Sequence, residues 1–101
     1  MHFEPEMISE QDIRREKEKA RQLRKTQWWI RKINQGVCYY CNQEVGKSNL
    51  TMDHVVPLSR GGKSTKGNIV AACKECNNKK KYLLPIEWEE YLKALSDREV
   101  H

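Results

Sequence analysis

No stretch of this chain approaches about 18 consecutive apolar residues, which excludes a membrane-spanning helix and makes a membrane an unexpected partner. The acidic start, Met1-His-Phe-Glu-Pro-Glu6, is followed by no apolar segment, so no signal peptide is expected and the cytoplasm is the default compartment. Core-forming residues are scarce: 38% of the chain is hydrophobic, a third is charged, and phenylalanine occurs once. Mean hydropathy is −0.91. In 101 residues this allows one thin domain. With polar helices at both ends, the compact centre is about 45 residues, near the size at which a metal or disulfides must help. Internal repeats and low-complexity segments are absent. So is any unpaired cysteine: there are four, all in two Cys-x-x-Cys units.

The net charge of +5 is uneven. Residues 9–35 carry nine basic and four acidic side chains, and residues 36–81 carry eight and three. Both ends are acidic. The excess positive charge therefore lies before and within the cysteine-bearing centre, which points to a polyanionic partner. Arg21, Arg24, Lys25, Arg31 and Lys32 are the candidates in the first block for contacting a nucleic-acid backbone. A solvated helix that only aids solubility accounts for them as well.

Residues 9–35 read as one helix, with Ser9 as N-cap, Asp12 three residues on, and Gly36 as the stop. Its apolar positions thicken toward the end as Trp29, Ile30 and Ile33, so the last turns should pack on the centre. Val37 to Gly46 reads as a cysteine knuckle and turn. Ser48 to Leu58 alternates as a strand or hairpin arm ending at Pro57. Ser59 to Gly67 is a loop in which Gly61-Gly62, with Arg60, Lys63 and Lys66, suits contact with phosphate. Asn68 to Ala72 is a short extended or turning piece, and Cys73 to Tyr82 a short polar helix. Pro85 opens a last helix, in which Trp88, Tyr91, Leu92 and Leu95 form one apolar stripe that covers the core. Three segments follow: an acidic tip and basic helix over 1–35, a core over 36–84, and a packing helix over 85–101.

Cys38-Tyr-Tyr-Cys41 and Cys73-Lys-Glu-Cys76 have 31 residues between them. A two-residue gap lets both thiolates of a unit bend onto one ion, and four thiolates make a tetrahedral zinc site with no open position. The expected zinc is therefore structural. Disulfides or an iron–sulfur centre are the other options for these cysteines.

Between the pairs stands Asp53-His54, which holds the sole histidine away from the chain ends. A neutral imidazole, with a pKa near 6.5, can take a proton from water. Strand neighbours point to opposite faces, so Asp53 and His54 share a site only where a strand bends or stops. Asn77 follows Cys76, with Lys80 and Lys81 one turn on. The Asp53 carboxylate and Asn77 amide oxygen are hard donors suited to Mg²⁺ or Mn²⁺.

Taken in order, Cys38-x-x-Cys41, Asp53-His-Val-Val-Pro57, Gly61-Gly62, Asn68-Ile-Val70 and Cys73-x-x-Cys76-Asn77-x-x-Lys80 resemble the HNH endonuclease family in its zinc-stapled form. The likeness spans residues 36–81. It implies a small α+β fold with a ββα-metal, treble-clef-like core and a structural zinc held by four cysteines, flanked here by a basic N-terminal and an amphipathic C-terminal helix. It further implies a DNA endonuclease in which His54 is the general base, Asp53 and Asn77 hold a catalytic Mg²⁺ or Mn²⁺, and Asn68 bonds backbone near His54 to keep the ring oriented. The final motif position is Asn77 where many members carry histidine, which favours Mg²⁺ or Mn²⁺ over a second zinc. Lys63, Lys80 and Lys81 are further candidates for phosphate contacts. Double-stranded DNA is the expected partner, cut by a monomer or a homodimer. Two other functions compete: a non-catalytic treble-clef module that binds DNA or RNA, and a protein-interaction domain with Trp28, Trp29 and Trp88 as exposed anchors.

Overall fold

The computed structural model describes residues 8–99. Four α-helices and two strands occur among them, with three short 3-10 turns between: helices α1 (Glu10–Leu23) and α2 (Gln27–Asn34), strands β1 (Leu50–His54) and β2 (Ile69–Cys73), and helices α3 (Lys74–Lys80) and α4 (Pro85–Glu99). This is a small α+β fold whose centre, β1–β2–α3, is the ββα-metal unit.

Ser9 caps α1 as expected. Its hydroxyl accepts from the Asp12 N–H at 3.0 Å, and the Asp12 carboxylate accepts in return from the Ser9 N–H. The single helix expected over 9–35 is instead two. Thr26 breaks it: its hydroxyl donates to the Leu23 carbonyl (2.6 Å) and accepts from the Trp29 N–H (3.3 Å), so one side chain closes α1 and opens α2. The break re-aims α2 and puts Trp29 into the core, 5% exposed.

The strands pair antiparallel with Leu50 opposite Cys73 and His54 opposite Ile69. Every residue of β2 is buried, whereas β1 is buried only at Leu50 and Asp53. Ala71 and Ala72 keep the middle of β2 thin, so the cysteine knuckle can close on it, and the Tyr39 N–H donates to the Ala71 carbonyl at 2.9 Å. Around this sheet Trp29, Cys38, Leu50, Ile69 and Cys73 form the apolar core, with Leu23, Ile33, Val45 and Met52 packed at its edge. The knuckle turns on Asn42, which has a φ of 59°. Its side chain tolerates the left-handed region better than most.

Strand β1 stops at His54, three residues short of Pro57, and the chain then bends. Helix α4 starts at Pro85 as expected. It lays Trp88 against Tyr40, edge to face at 5.6 Å, and stacks Tyr91 on Trp88. Trp29 and Trp88 are thus core and Trp28 is half-buried, which leaves no exposed tryptophan anchor for a protein partner. No helix among the described residues is long and apolar enough to cross a membrane.

Candidate metal centre and active site

The Sγ atoms of Cys38, Cys41, Cys73 and Cys76 lie within 4.8 Å of one another, and none of the four is in a disulfide. Cys41 and Cys73 stand 4.0 Å apart. Four sulfurs about 2.3 Å from a tetrahedral ion are about 3.8 Å from each other, so this cluster can hold zinc. Backbone N–H groups already point at the sulfurs, Tyr40 to Cys38 at 3.3 Å and Cys76 to Cys73 at 3.4 Å. Burial raises the Cys38 thiol, but N–H groups of Cys41, Cys73 and Tyr40 more than offset this and bring it to about 7. Cys38 is thus the thiol readiest to ionise, while burial holds the Cys41 and Cys76 thiols above their ordinary value, so binding an ion there displaces their protons. Because the cysteines join the knuckle to β2 and α3, the cluster fixes where those elements point.

One face of β1 turns toward α3. There the Asp53 carboxylate, 7% exposed, accepts from the Tyr40 hydroxyl at 2.5 Å and pairs with the Lys80 ammonium at 3.3 Å. Lys80 also donates to the His54 carbonyl at 3.1 Å. Burial, with the neighbouring Asp53 carboxylate, pushes the Tyr40 hydroxyl well above its ordinary value, so it remains a donor. Asn77, on α3, donates its amide N–H to the Thr51 hydroxyl at 2.8 Å, which commits the nitrogen and leaves the amide oxygen as the atom on offer.

The His54 ring lies to the other side of β1, and its Nε2 is 2.9 Å from the Ser64 hydroxyl. Burial lowers its pKa below the ordinary 6.5; Asp53 and Glu16 oppose the shift, and Arg24 and Lys80 add to it. The imidazole is therefore neutral, and able to accept a proton, at neutral pH. Asn68 grips the chain just beyond: its Oδ1 accepts from the Val56 N–H at 2.9 Å, and its Nδ2 donates to the carbonyls of Val56 (3.0 Å) and Lys63 (2.9 Å). Asp53 and His54 both line a cleft of 310 Å³, bounded by Lys17 of α1 on one side and by Lys81 and Tyr82 on the other. Asn77 is not on its wall.

Several expected contact residues are placed otherwise. Lys80 is fully buried, since its ammonium balances Asp53, and does not face an incoming phosphate. Arg60 is tied to Glu87 of α4 at 3.0 Å and to the Tyr82 carbonyl, in the turn before that helix, at 3.3 Å. Gly62 faces the protein: a Cβ there would lie 1.8 Å from the Val56 carbonyl oxygen, so the glycine serves close packing of the loop. Arg21 is engaged by Glu18 at 2.8 Å, while Lys32 and Lys66 both sit over the Trp28 ring. Arg24, Lys25, Arg31, Lys63 and Lys81 are exposed. Sequence reasoning missed Tyr40, Glu16 and Ser64. Tyr40 lay in plain view inside the first Cys-x-x-Cys, whereas Glu16 and Ser64 carry no local signal.

A family model described as HNH endonuclease matches residues 38–90, just over half of the chain. The chain belongs to the HNH endonuclease family. It is 43% identical over 44 residues to a CRISPR-associated endonuclease Cas9 of Corynebacterium diphtheriae, and 39% identical over 44 residues to another of Actinomyces naeslundii; each match covers 43% of this chain and 4% of the relative. It is 35% identical over 60 residues to the type IV methyl-directed restriction enzyme EcoKMcrA of Escherichia coli K12, covering 54% of this chain and 22% of that enzyme. The chain thus spans less than a quarter of the length of these relatives.

Proposed function

We propose that the chain is a metal-dependent DNA endonuclease module that hydrolyses phosphodiester bonds. The observation that carries this is the cleft at the end of β1, which a neutral imidazole and a buried carboxylate both line in a member of the HNH family. His54 takes the proton of a water that attacks phosphorus in line; the new P–O bond forms as the bond to the 3′-oxygen breaks. Asn68 holds the loop after His54, so the ring keeps its bearing through the step. Asp53 and the Asn77 oxygen are the hard donors that would hold Mg²⁺ or Mn²⁺, and the ion would share the Asp53 carboxylate with its buried counter-ion Lys80. When bound, that ion supplies neutralisation of the charge gathering on the phosphoryl and leaving oxygens. Lys63, Lys81 and Arg24 are the exposed cations placed to meet backbone phosphates, and binding through them is independent of sequence and weakens steeply with salt. Double-stranded DNA is the substrate this reading favours.

The test is conversion of supercoiled plasmid to nicked circles in Mg²⁺ or Mn²⁺ by the wild type and by His54→Ala. Loss of the base should slow cleavage by about 10² to 10⁴. Equal cleavage by both proteins would remove His54 from the chemistry. Binding without cleavage by the wild type would leave the non-catalytic zinc module.

A further inference from the structure

We propose that Ser64, seated on helix α1, is a positioning residue that fixes the tautomer of the His54 ring. The Ser64 hydroxyl touches two groups: the backbone carbonyl of Glu16, at 2.5 Å, and Nε2 of His54, at 2.9 Å. A hydroxyl has one proton, and a carbonyl can only accept, so that proton belongs to the Glu16 carbonyl. What Ser64 presents to the ring is a lone pair. Nε2 must then carry hydrogen, and Nδ1 is left bare as the nitrogen that can take a proton from water.

Ser64 has little freedom to do otherwise. It is 6% exposed, and its N–H donates to the Glu16 carboxylate at 2.7 Å, so both its backbone and its hydroxyl are bound to the same residue of α1. Glu16 is itself 5% exposed and is paired with Lys19 at 3.2 Å. On the loop side, Asn68 holds the Lys63 carbonyl, and Gly62 is packed on the turn at Val56. Helix α1 lies outside the 38–90 segment that matches the family.

The inference rests on His54 as the base, and the two can fail separately. In long-range ¹H–¹⁵N spectra of the zinc-loaded full chain at mildly alkaline pH, His54 is expected to show the neutral Nε2–H pattern; its signals are those missing in His54→Ala. Ser64→Ala should let the two tautomers exchange and lower the nicking turnover about tenfold or more, with the half-saturating DNA concentration unchanged. Ser64→Thr keeps the hydroxyl and should restore both the ring pattern and the turnover. An Nδ1–H ring in the wild type overturns the inference even where Ser64→Ala does not fold. So does an unaltered ring pattern in a folded Ser64→Ala. A fully active His54→Ala overturns the base itself, whatever the ring pattern shows.

Discussion

The two sides of strand β1 are held by different means. Toward α3, Asp53 stands on β1, which pairs with the cysteine-bearing β2, and Asn77 stands on α3 next to Cys76; their partners Tyr40, Thr51 and Lys80 belong to the same cysteine-bounded segment and its short helix. Toward α1, His54 is held by Ser64 and Glu16, a polar chain reaching 48 residues back to a helix with no cysteine. One side is drawn together by a four-cysteine cluster that can hold zinc and the other is latched by hydrogen bonds. The lesson is that the carboxylate side is held within the cysteine-bounded segment, whereas the imidazole side depends on contacts with a helix outside it.

Removing zinc should have the largest effect, because it strikes the stapled side and with it the whole core. Structural zinc contributes on the order of 10 kcal/mol to folding small domains, more than a domain of this size holds in reserve. A strong chelator is expected to abolish the cooperative thermal transition in circular dichroism, and a chelated protein that melts as before would contradict the staple.

Lys80→Ala comes next. It strands the Asp53 carboxylate in a site where it is 7% exposed, and breaking a buried pair costs about 3–5 kcal/mol. Urea denaturation should register that loss, while Lys79→Ala, one residue earlier on the exposed face and paired only with Glu75, should leave the midpoint in place. Equal midpoints for the two variants would mean that Lys80 is no counter-ion.

The smallest effect belongs to the latch. The Ser64 N–H, ahead of Lys19, holds the Glu16 carboxyl below its ordinary value of 4.5. A group whose folded pKa is depressed contributes stability that is full above 4.5 and is lost as pH falls through the lower, folded value. Glu16→Gln should therefore cost on the order of 1 kcal/mol near neutral pH and almost nothing in acid, read from denaturation midpoints across that range. A constant difference at every pH would remove the carboxylate from the latch.

The stapled side was legible in the sequence because its residues are named by spacing. Cys38 to Cys76, Asp53, His54 and Asn77 fall in one ordered string; the fold gathers the four cysteines and sets Asp53 and His54 on one cleft, with Asn77 off its wall. The helix break at Thr26 was less visible: a threonine inside a run of good helix formers costs little locally, and only the burial of Trp29 tips the balance toward a cap. Lys80 read as a surface lysine because nothing local tells a buried counter-ion from a solvated one. The Glu16–Ser64 latch could not be read at all, since helix periodicity explains Glu16 and loop composition explains Ser64, and their meeting is a tertiary fact.

The central claim is that a cation held by Asp53 lies beside the His54 ring, so that the two sides of β1 make one phosphodiesterase site. Titrating Mn²⁺ into the zinc-loaded protein while observing the ring signals of His54 tests it most directly. Paramagnetic broadening of those signals in the wild type, absent in Asp53→Asn, is the predicted result. Signals that stay sharp at saturating Mn²⁺, or that broaden equally in both proteins, would contradict it.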